Sequence, residues 1–326
     1  FEYWYPFDYR NSAKDLIQNH LAFCIFNHVA LFPKEHWPKA YVLNGRVMVN
    51  NEKMSKSKGN FFTMRELYEA HGPDIIRITA ANAGEGIDDA NYDMAFLEVA
   101  KRKLYDVYNF AKDHYGRGRT DRVTIDRWFE SSMHECIKLA TNSMEGMLFK
   151  SAVKALFLDM QRNLKWYLKR TPEPNRDLIN QFVEAQTLML TPFTPHFCEE
   201  MWELIGKRGF ISHAEWPTYD ESKIQIELNE GEILVKNTIS DTQAVLKLAK
   251  VDTPKKITLF VSPEWKYDLF NQVNSLLQNE QNPGNIVKAI MQEESFRKYV
   301  KKSLVSYPRW LRLGRFRILS CLTLES

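Results

Sequence analysis

From Asp126 to Gly206 apolar residues recur at helical spacing, and the main breaks are two proline loops, Thr171-Pro172-Glu173-Pro174 and Thr191-Pro192-Phe193-Thr194-Pro195. The spacing predicts helices near 126–145, 149–169 and 176–190, and a fourth ending at Gly206. Consecutive amphipathic helices on short loops bury their apolar stripes against one another, so this stretch must be a helix bundle. Ala214-Glu215-Trp216-Pro217 closes it.

The texture differs on either side. Residues 1–9 are aromatic-rich and predict a buried strand or its end. A chain opening on Phe1 rather than a polar start is expected to lack an N-terminal portion, or to find it on another chain. Asn11 or Ser12 is expected to cap a helix running to Phe32, stopped by Pro33. Its apolar positions nearly encircle it, which predicts a largely buried helix. Asn44-Gly45, between Tyr41-Val42-Leu43 and Val47-Met48-Val49, predicts a hairpin. Thr63-Met64-Arg65-Glu66 reads as a capping box opening a helix that ends at His71-Gly72, with Pro73 starting the next. Asp88-Asp89-Ala90-Asn91 reads as an acidic turn before a long amphipathic helix from Asp93 to Tyr115, and Gly116-Arg117-Gly118-Arg119 breaks the periodicity. Beyond the bundle the pattern predicts a helix near 230–250, a strand over 255–261, a helix over 265–278, a polar loop over 279–285, further helices and a final strand within 315–324.

A net charge of +3 makes nucleic-acid binding a matter of local patches. Cys24, Cys136, Cys198 and Cys321 form no C-x-x-C pair, which argues against a zinc knuckle or a disulfide framework and predicts a reducing, cytoplasmic setting. No run of eighteen apolar residues could span a membrane, so no membrane partner is expected.

The densest chemistry is Lys53-Met54-Ser55-Lys56-Ser57, followed by Lys58-Gly59-Asn60. Lysines supply flexible charges, serines small hydroxyls and glycine close backbone approach, which together suit a loop closing over a polyphosphate. A solvated basic turn is the bland alternative, and the five-residue order argues against it. Asp15 and Asn19 share a helical face; Asp15 can accept from ribose hydroxyls, or merely favour the helix dipole. Asn19 or His20 can line a polar-edged pocket. His20 and His28 stand roughly 80° apart around a helix, poor geometry for a shared metal, and no bound metal is expected. Arg162, Lys165, Lys169 and Arg170 lie at helical spacing and face either phosphates or solvent. Trp166 and Trp202 read as core.

Tyr5-Pro6 with Asp8 and Arg10, Ser12-Ala13-Lys14-Asp15-Leu16-Ile17, Asn19-His20-Leu21 and Phe26-Asn27-His28 form an ordered set. Leu43-Asn44-Gly45, the Lys53–Asn60 loop, Gly72-Pro73-Asp74 with Arg77, and Thr191–His196 with Glu199, Glu200 and Trp202 continue it. Together they resemble the second half of a class I aminoacyl-tRNA synthetase, specifically the archaeal and eukaryotic cytosolic leucyl-tRNA synthetase family. The likeness is close over 1–220 and looser beyond. The Lys53–Ser57 loop points to the class, and the Ser12–Leu21 segment points to leucine.

The resemblance implies an α/β, then all-α, then small α+β order. The parts would be the second half of a Rossmann-type catalytic domain (1–90), a helix-bundle anticodon-binding-type domain (91–217) and a small tRNA-binding domain (218–326). It implies activation of leucine with ATP, accompanied by Mg2+, and transfer to leucine tRNA. Lys53 and Lys56 would stabilise the departing pyrophosphate, with Ser55 and Ser57 shaping the loop. Asp15 would contact the ribose, Val47 and Met48 the adenine, and Asn19 and His20 the amino acid. Arg162, Lys165, Lys169, Lys255 and Lys256 are candidate tRNA contacts. The family's first half-Rossmann with its His-Ile-Gly-His-type signature, and its editing insertion, are not in this sequence, so a separate N-terminal half is an expected partner. The basic stretch from Lys301 to Arg317 makes 305–326 either a tRNA-facing segment or a non-homologous tail. A non-catalytic tRNA-binding module and a synthetase for another aliphatic amino acid are the alternatives.

Overall fold

In the helix Thr124–Glu145, Ile125, Trp128, Phe129, Met133, Cys136, Ile137 and Ala140 fall on one stripe, and all are buried. The computed structural model describes residues 1–55, 57, 59–261, 263–278, 282–293 and 322–325. It divides into two units, 1–232 and 233–326. Across the described residues it is mostly helical with three small sheets.

The first unit begins with β1 (Tyr9–Ala13), a helical segment, and β2 (Ala40–Asn44), which pairs parallel to β1 from Tyr9↔Ala40 to Ala13↔Asn44. The intervening segment opens as a 3-10 turn (Lys14–Leu16), passes through a π turn (Ile17–Leu21) and continues as α1 (Ala22–Leu31). A second sheet has the order β4-β3-β5, with β3 (Val47–Val49) antiparallel to β4 (Glu52–Lys53) and parallel to β5 (Ala90–Tyr92). Between β4 and β5 lie α2 (Met64–His71), opened by the expected Thr63–Glu66 capping box, and α3 (Pro73–Ala83), with proline in its first turn.

Four expectations for this region are corrected. Residues 1–8 are not a buried strand: Phe1, Tyr3 and Trp4 are exposed, Trp4 at 74%. Phe1 stacks on Tyr5 and Phe32 and meets His36 edge-on, and Tyr3 meets Trp4 edge-on. Neither Asn11 nor Ser12 caps the helix; Ala13 holds that position without a side-chain bond. Nor is α1 buried, since Phe23, Ile25, Phe26, Val29 and Leu31 face outward, Phe26 at 71%. Periodicity records that a helix is apolar, and a two-stranded sheet covers only part of it. Finally, the hairpin is not at Asn44-Gly45. A Cβ on Gly45 would lie 2.0 Å from the Asp88 carbonyl oxygen, so this glycine permits a close crossing between the two sheets. The hairpin is one step later. Asn50 and Asn51, at φ 49° and 65°, join β3 to β4 as a two-residue turn, the conformation asparagine tolerates best after glycine.

The bundle comprises α4 (Met94–His114), α5 (Thr124–Glu145), α6 (Phe149–Val153), α7 (Met160–Arg170), α8 (Arg176–Leu190) and α9 (Pro195–Leu204). A π segment, Lys154–Asp159, joins α6 to α7 and buries Ala155, Leu156 and Phe157. One continuous core runs from Ile75 and Ile78 of α3 through all these helices, with Trp166 and Trp202 packed against it as expected. The glycine-arginine break carries structure: a Cβ on Gly118 would meet Pro174 oxygen at 2.4 Å, and the tight crossing lets Arg119 reach the buried Asp126. Asp126 accepts from Arg119 Nη2 and Tyr167 Oη, each at 2.5 Å, and from the Val123 amide at 2.7 Å. Burial would raise this carboxyl, but those hydrogen bonds outweigh it and hold it below the usual carboxylate range.

Helix α10 (Ile226–Ala249) begins in the first unit and ends in the second. In the second unit β6 (Lys256–Leu259) pairs antiparallel with β7 (Leu322–Glu325). Helices α11 (Glu264–Leu277) and α12 (Pro283–Gln292) share a small core of Leu269, Val273, Ile286 and Ile290. Of the predicted polar loop, 279–281 lie outside the described residues, and 283–285 are corrected to the first turn of α12, which Asn282 caps. The basic-tail prediction lies outside the described residues except for β7.

Candidate active site

The lysine loop starts at the end of β4, where Lys53 pairs with Met48 of β3. Asn60 folds it back on itself. Its Oδ1 accepts from the Ser55 amide at 2.8 Å, and its Nδ2 donates to the Lys53 carbonyl at 3.1 Å. The Ser55 and Ser57 hydroxyls lie 2.8 Å apart. The loop is thus a closed turn with two hydroxyls side by side and the Lys53 side chain exposed. Lys56 and Lys58 lie outside the described residues. Val47 is exposed and Met48 half-buried on β3 beside it.

The second group follows the carboxyl end of β1, where parallel α/β units place their ligands. Lys14 reaches across to the loop before β5, bonding the Ile87 carbonyl at 3.1 Å and pairing with Asp89 at 2.8 Å. Asp89 also accepts from the Arg46 amide at 2.8 Å. The Lys14 hydrogen bond, then the Arg46 amide, hold its carboxyl below the usual range. This acid of the expected acidic turn links the end of β1, the β2–β3 crossing and the start of β5. Asp15 is exposed on the 3-10 turn. Asn19 and His20 lie on the π turn, where one extra residue per turn changes the direction of the side chains. Arg10 donates to His20 Nε2, so a neutral His20 ring carries its proton on Nδ1. Asn19 Oδ1 accepts from the His20 amide. Among the described residues no hydrogen bond or ion pair joins Asp15, Asn19 or His20 to the lysine loop.

The remaining candidates stand apart. Arg162 is held by Asp159 at 2.9 Å, which also binds Lys154 at 2.7 Å. Lys165 is exposed, and Lys169 lies 5.7 Å above the Trp166 ring. Lys255 and Lys256 are exposed in the second unit.

One constellation escaped the sequence reading. Asp74 on α3, 8% exposed, accepts from His196 Nδ1 at 2.9 Å and from the Phe197 amide at 2.6 Å, both in the first turn of α9. Arg77 donates to the Pro192 carbonyl at 2.7 Å and the Phe193 carbonyl at 3.3 Å. Two sequence motifs more than a hundred residues apart therefore form one clamp, which fixes the segment after the lysine loop onto the bundle.

Two family models match parts of this chain. Residues 4–101 match the family model for the class I (C) catalytic domain of tRNA synthetases, and 126–261 the anticodon-binding domain of tRNA ligase. A leucine–tRNA ligase of Aeropyrum pernix is 43% identical over 271 residues, covering 82% of this chain and 28% of that protein. One from Methanococcoides burtonii is 36% identical over 310 residues, covering 93% and 32%. The chain thus spans about a third of the length of the curated relatives it matches. A crystal structure of a LeuRS–tRNA–LeuAMS ternary complex from Agrobacterium radiobacter K84 has the same fold over 67% of this chain and 29% of that one, with a TM-score of 0.56 and 18% identity.

Proposed function

We propose, for a chain that belongs to the leucine–tRNA ligases of the class I aminoacyl-tRNA synthetases, that it is the C-terminal portion of such an enzyme and acts together with the N-terminal half that completes the nucleotide site. In this reading 1–90 is the second half of a Rossmann-type catalytic domain, 91–217 the anticodon-binding-type bundle and 218–326 a small tRNA-binding domain. The substrates are leucine, ATP with its Mg2+, and leucine tRNA.

The reaction has two steps. A leucine carboxylate oxygen attacks the α-phosphorus of ATP, the bond to the β-phosphate oxygen breaks, and Mg2+-bound pyrophosphate leaves. A hydroxyl of the terminal tRNA ribose then attacks the leucyl carbonyl, its proton is released to the departing phosphate or to water, and AMP leaves with the electron pair. Neither step requires a covalent bond to the protein, so this chain contributes position and charge. Lys53 and Lys56 stabilise the charge growing on the pyrophosphate, and Ser55 and Ser57, already side by side, shape the closed loop. Val47 and Met48 flank the adenine, and Asp15 accepts from the ribose. Asn19 and His20, the latter oriented by Arg10, border the amino acid.

The observation that carries the reading is the Asn60-closed lysine loop, set on β4 and tied through α3 to the bundle by the Asp74 clamp. The exposed apolar face of α1 supports the need for a covering half. That same bare face favours a second reading, a tRNA-binding module without catalysis. Attachment of radiolabelled leucine to leucine tRNA tests both. The chain mixed with the complementary N-terminal portion of a relative should charge the tRNA and the chain alone should not. Failure of every mixture, with salt-sensitive tRNA binding retained, would favour the module.

A further inference from the structure

Between α3, α4 and α9 lies an open cleft of about 330 Å3 that the proposed catalysis leaves unused. Its α4 wall is Lys101, Tyr105 and Tyr108, three and four residues apart and hence on one helical face. Phe197 and Glu200 of α9 and His71 of α2 also line the cleft. Tyr105 is 62% exposed although its helix packs in the bundle. Among the described residues no hydrogen bond or ion pair engages Lys101 or Glu200. The His71 Nδ1 atom is buried without a hydrogen-bond partner, its ion pair with Glu98 standing at 3.6 Å, beyond hydrogen-bond reach.

Aromatic faces, a free cation and unengaged polar atoms around one cleft match the needs of a single unstacked nucleotide. The rings offer stacking, which every base accepts, the ammonium suits a phosphate, and the carboxylate takes an exocyclic amino group or a ring N–H. The volume is near the lower end of small-ligand sites, which suits one nucleotide and excludes a base-paired stem. We propose that this cleft receives one unpaired nucleotide of the tRNA, its base against the rings of Tyr105, Tyr108 and Phe197 and its phosphate on Lys101. The proposal rests on the reading of the chain as a tRNA ligase portion. Because α3 follows the lysine loop and α4 and α9 belong to the bundle, such a nucleotide touches both sides of the Asp74 clamp.

The test uses the full chain and transcribed leucine tRNA carrying 4-thiouridine, with affinity measured by fluorescence anisotropy and crosslinked peptides mapped by mass spectrometry. Tyr105→Ala should weaken binding roughly 5- to 150-fold, the range for one stacked base, and remove a crosslink to the α4 peptide. Tyr105→Phe, which keeps the ring, should bind within about twofold of the parent chain. Lys101→Ala should lower the salt slope by about one. Unchanged binding in Tyr105→Ala and Lys101→Ala, with crosslinks elsewhere, would overturn the cleft and leave tRNA binding intact. Saturable binding of free AMP that Tyr105→Ala abolishes, with tRNA affinity unmoved, would overturn it in favour of a small-nucleotide site. Absence of any tRNA binding would remove both this proposal and the tRNA-binding part of the reading beneath it.

Discussion

Removing the Asp74 carboxylate should loosen the lysine-loop segment from the bundle. In Asp74→Ala the Phe197 amide, at the amino end of α9, loses an acceptor 2.6 Å away, and His196 loses its partner at 2.9 Å. The two losses are unequal. A hydrogen bond to a charged group is worth about 1.5–3 kcal/mol, and the Phe197 amide makes the shorter of the two. The His196 side chain is 74% exposed, so its pair contributes about 0–1 kcal/mol after solvent screening. The sum is about 1.5–4 kcal/mol. For a unit of this size each kcal/mol moves the melting temperature by about 2–4 °C, so a fall on the order of 10 °C is expected. His196→Ala should cost a few degrees at most. Thermal unfolding by circular dichroism gives both numbers, and hydrogen exchange should show faster opening of the first turn of α9 in Asp74→Ala. An unmoved melting temperature in Asp74→Ala, or an equal fall in His196→Ala, would refute the reasoning.

Asp126→Asn should be more severe, about 3–5 kcal/mol, because it strands the Arg119 guanidinium beside a neutral amide. The Asp126 carboxyl is held below its unfolded value, so its stabilisation is complete above about pH 4 and fades as pH falls through the folded value. The gap in melting temperature between parent and Asp126→Asn should therefore narrow in acid. Gly45→Ala places a methyl against the Asp88 and Asp89 backbone, which cannot swing away as a side chain can, and should cost about 1–3 kcal/mol by chemical denaturation. Asn60→Ala removes both bonds that close the lysine loop. In the supplemented enzyme it should raise KM for ATP several-fold without changing the melting temperature.

The bundle was legible because its signal is local: apolar stripes such as Ile125 to Ala140 fix helices that have nowhere to pack but on one another. The capping box at Thr63 and the proline at 73 were legible for the same reason. The hairpin was misplaced because Asn-Gly signals two different uses of glycine. Gly45 serves close approach to Asp88, while the turn itself falls to Asn50 and Asn51. The aromatic residues of 1–8 and the apolar ring of α1 were read as buried, because a sequence shows which surface is apolar and not what covers it. Both halves of the Asp74 clamp stood out as motifs, but nothing local shows that an acid on α3 will meet an amide at the start of α9. Arg162, expected to face phosphates or solvent, instead pairs with Asp159 three residues earlier, a spacing the sequence does contain.

The central claim is that the lysine loop serves adenylate formation only when the rest of the nucleotide fold is present. Leucine-dependent exchange between ATP and labelled pyrophosphate tests it directly. The account expects no exchange from the chain alone, exchange when the complementary N-terminal portion is added, and its loss in Lys56→Ala. Exchange by the unsupplemented chain, or by isoleucine or methionine in place of leucine, would contradict it.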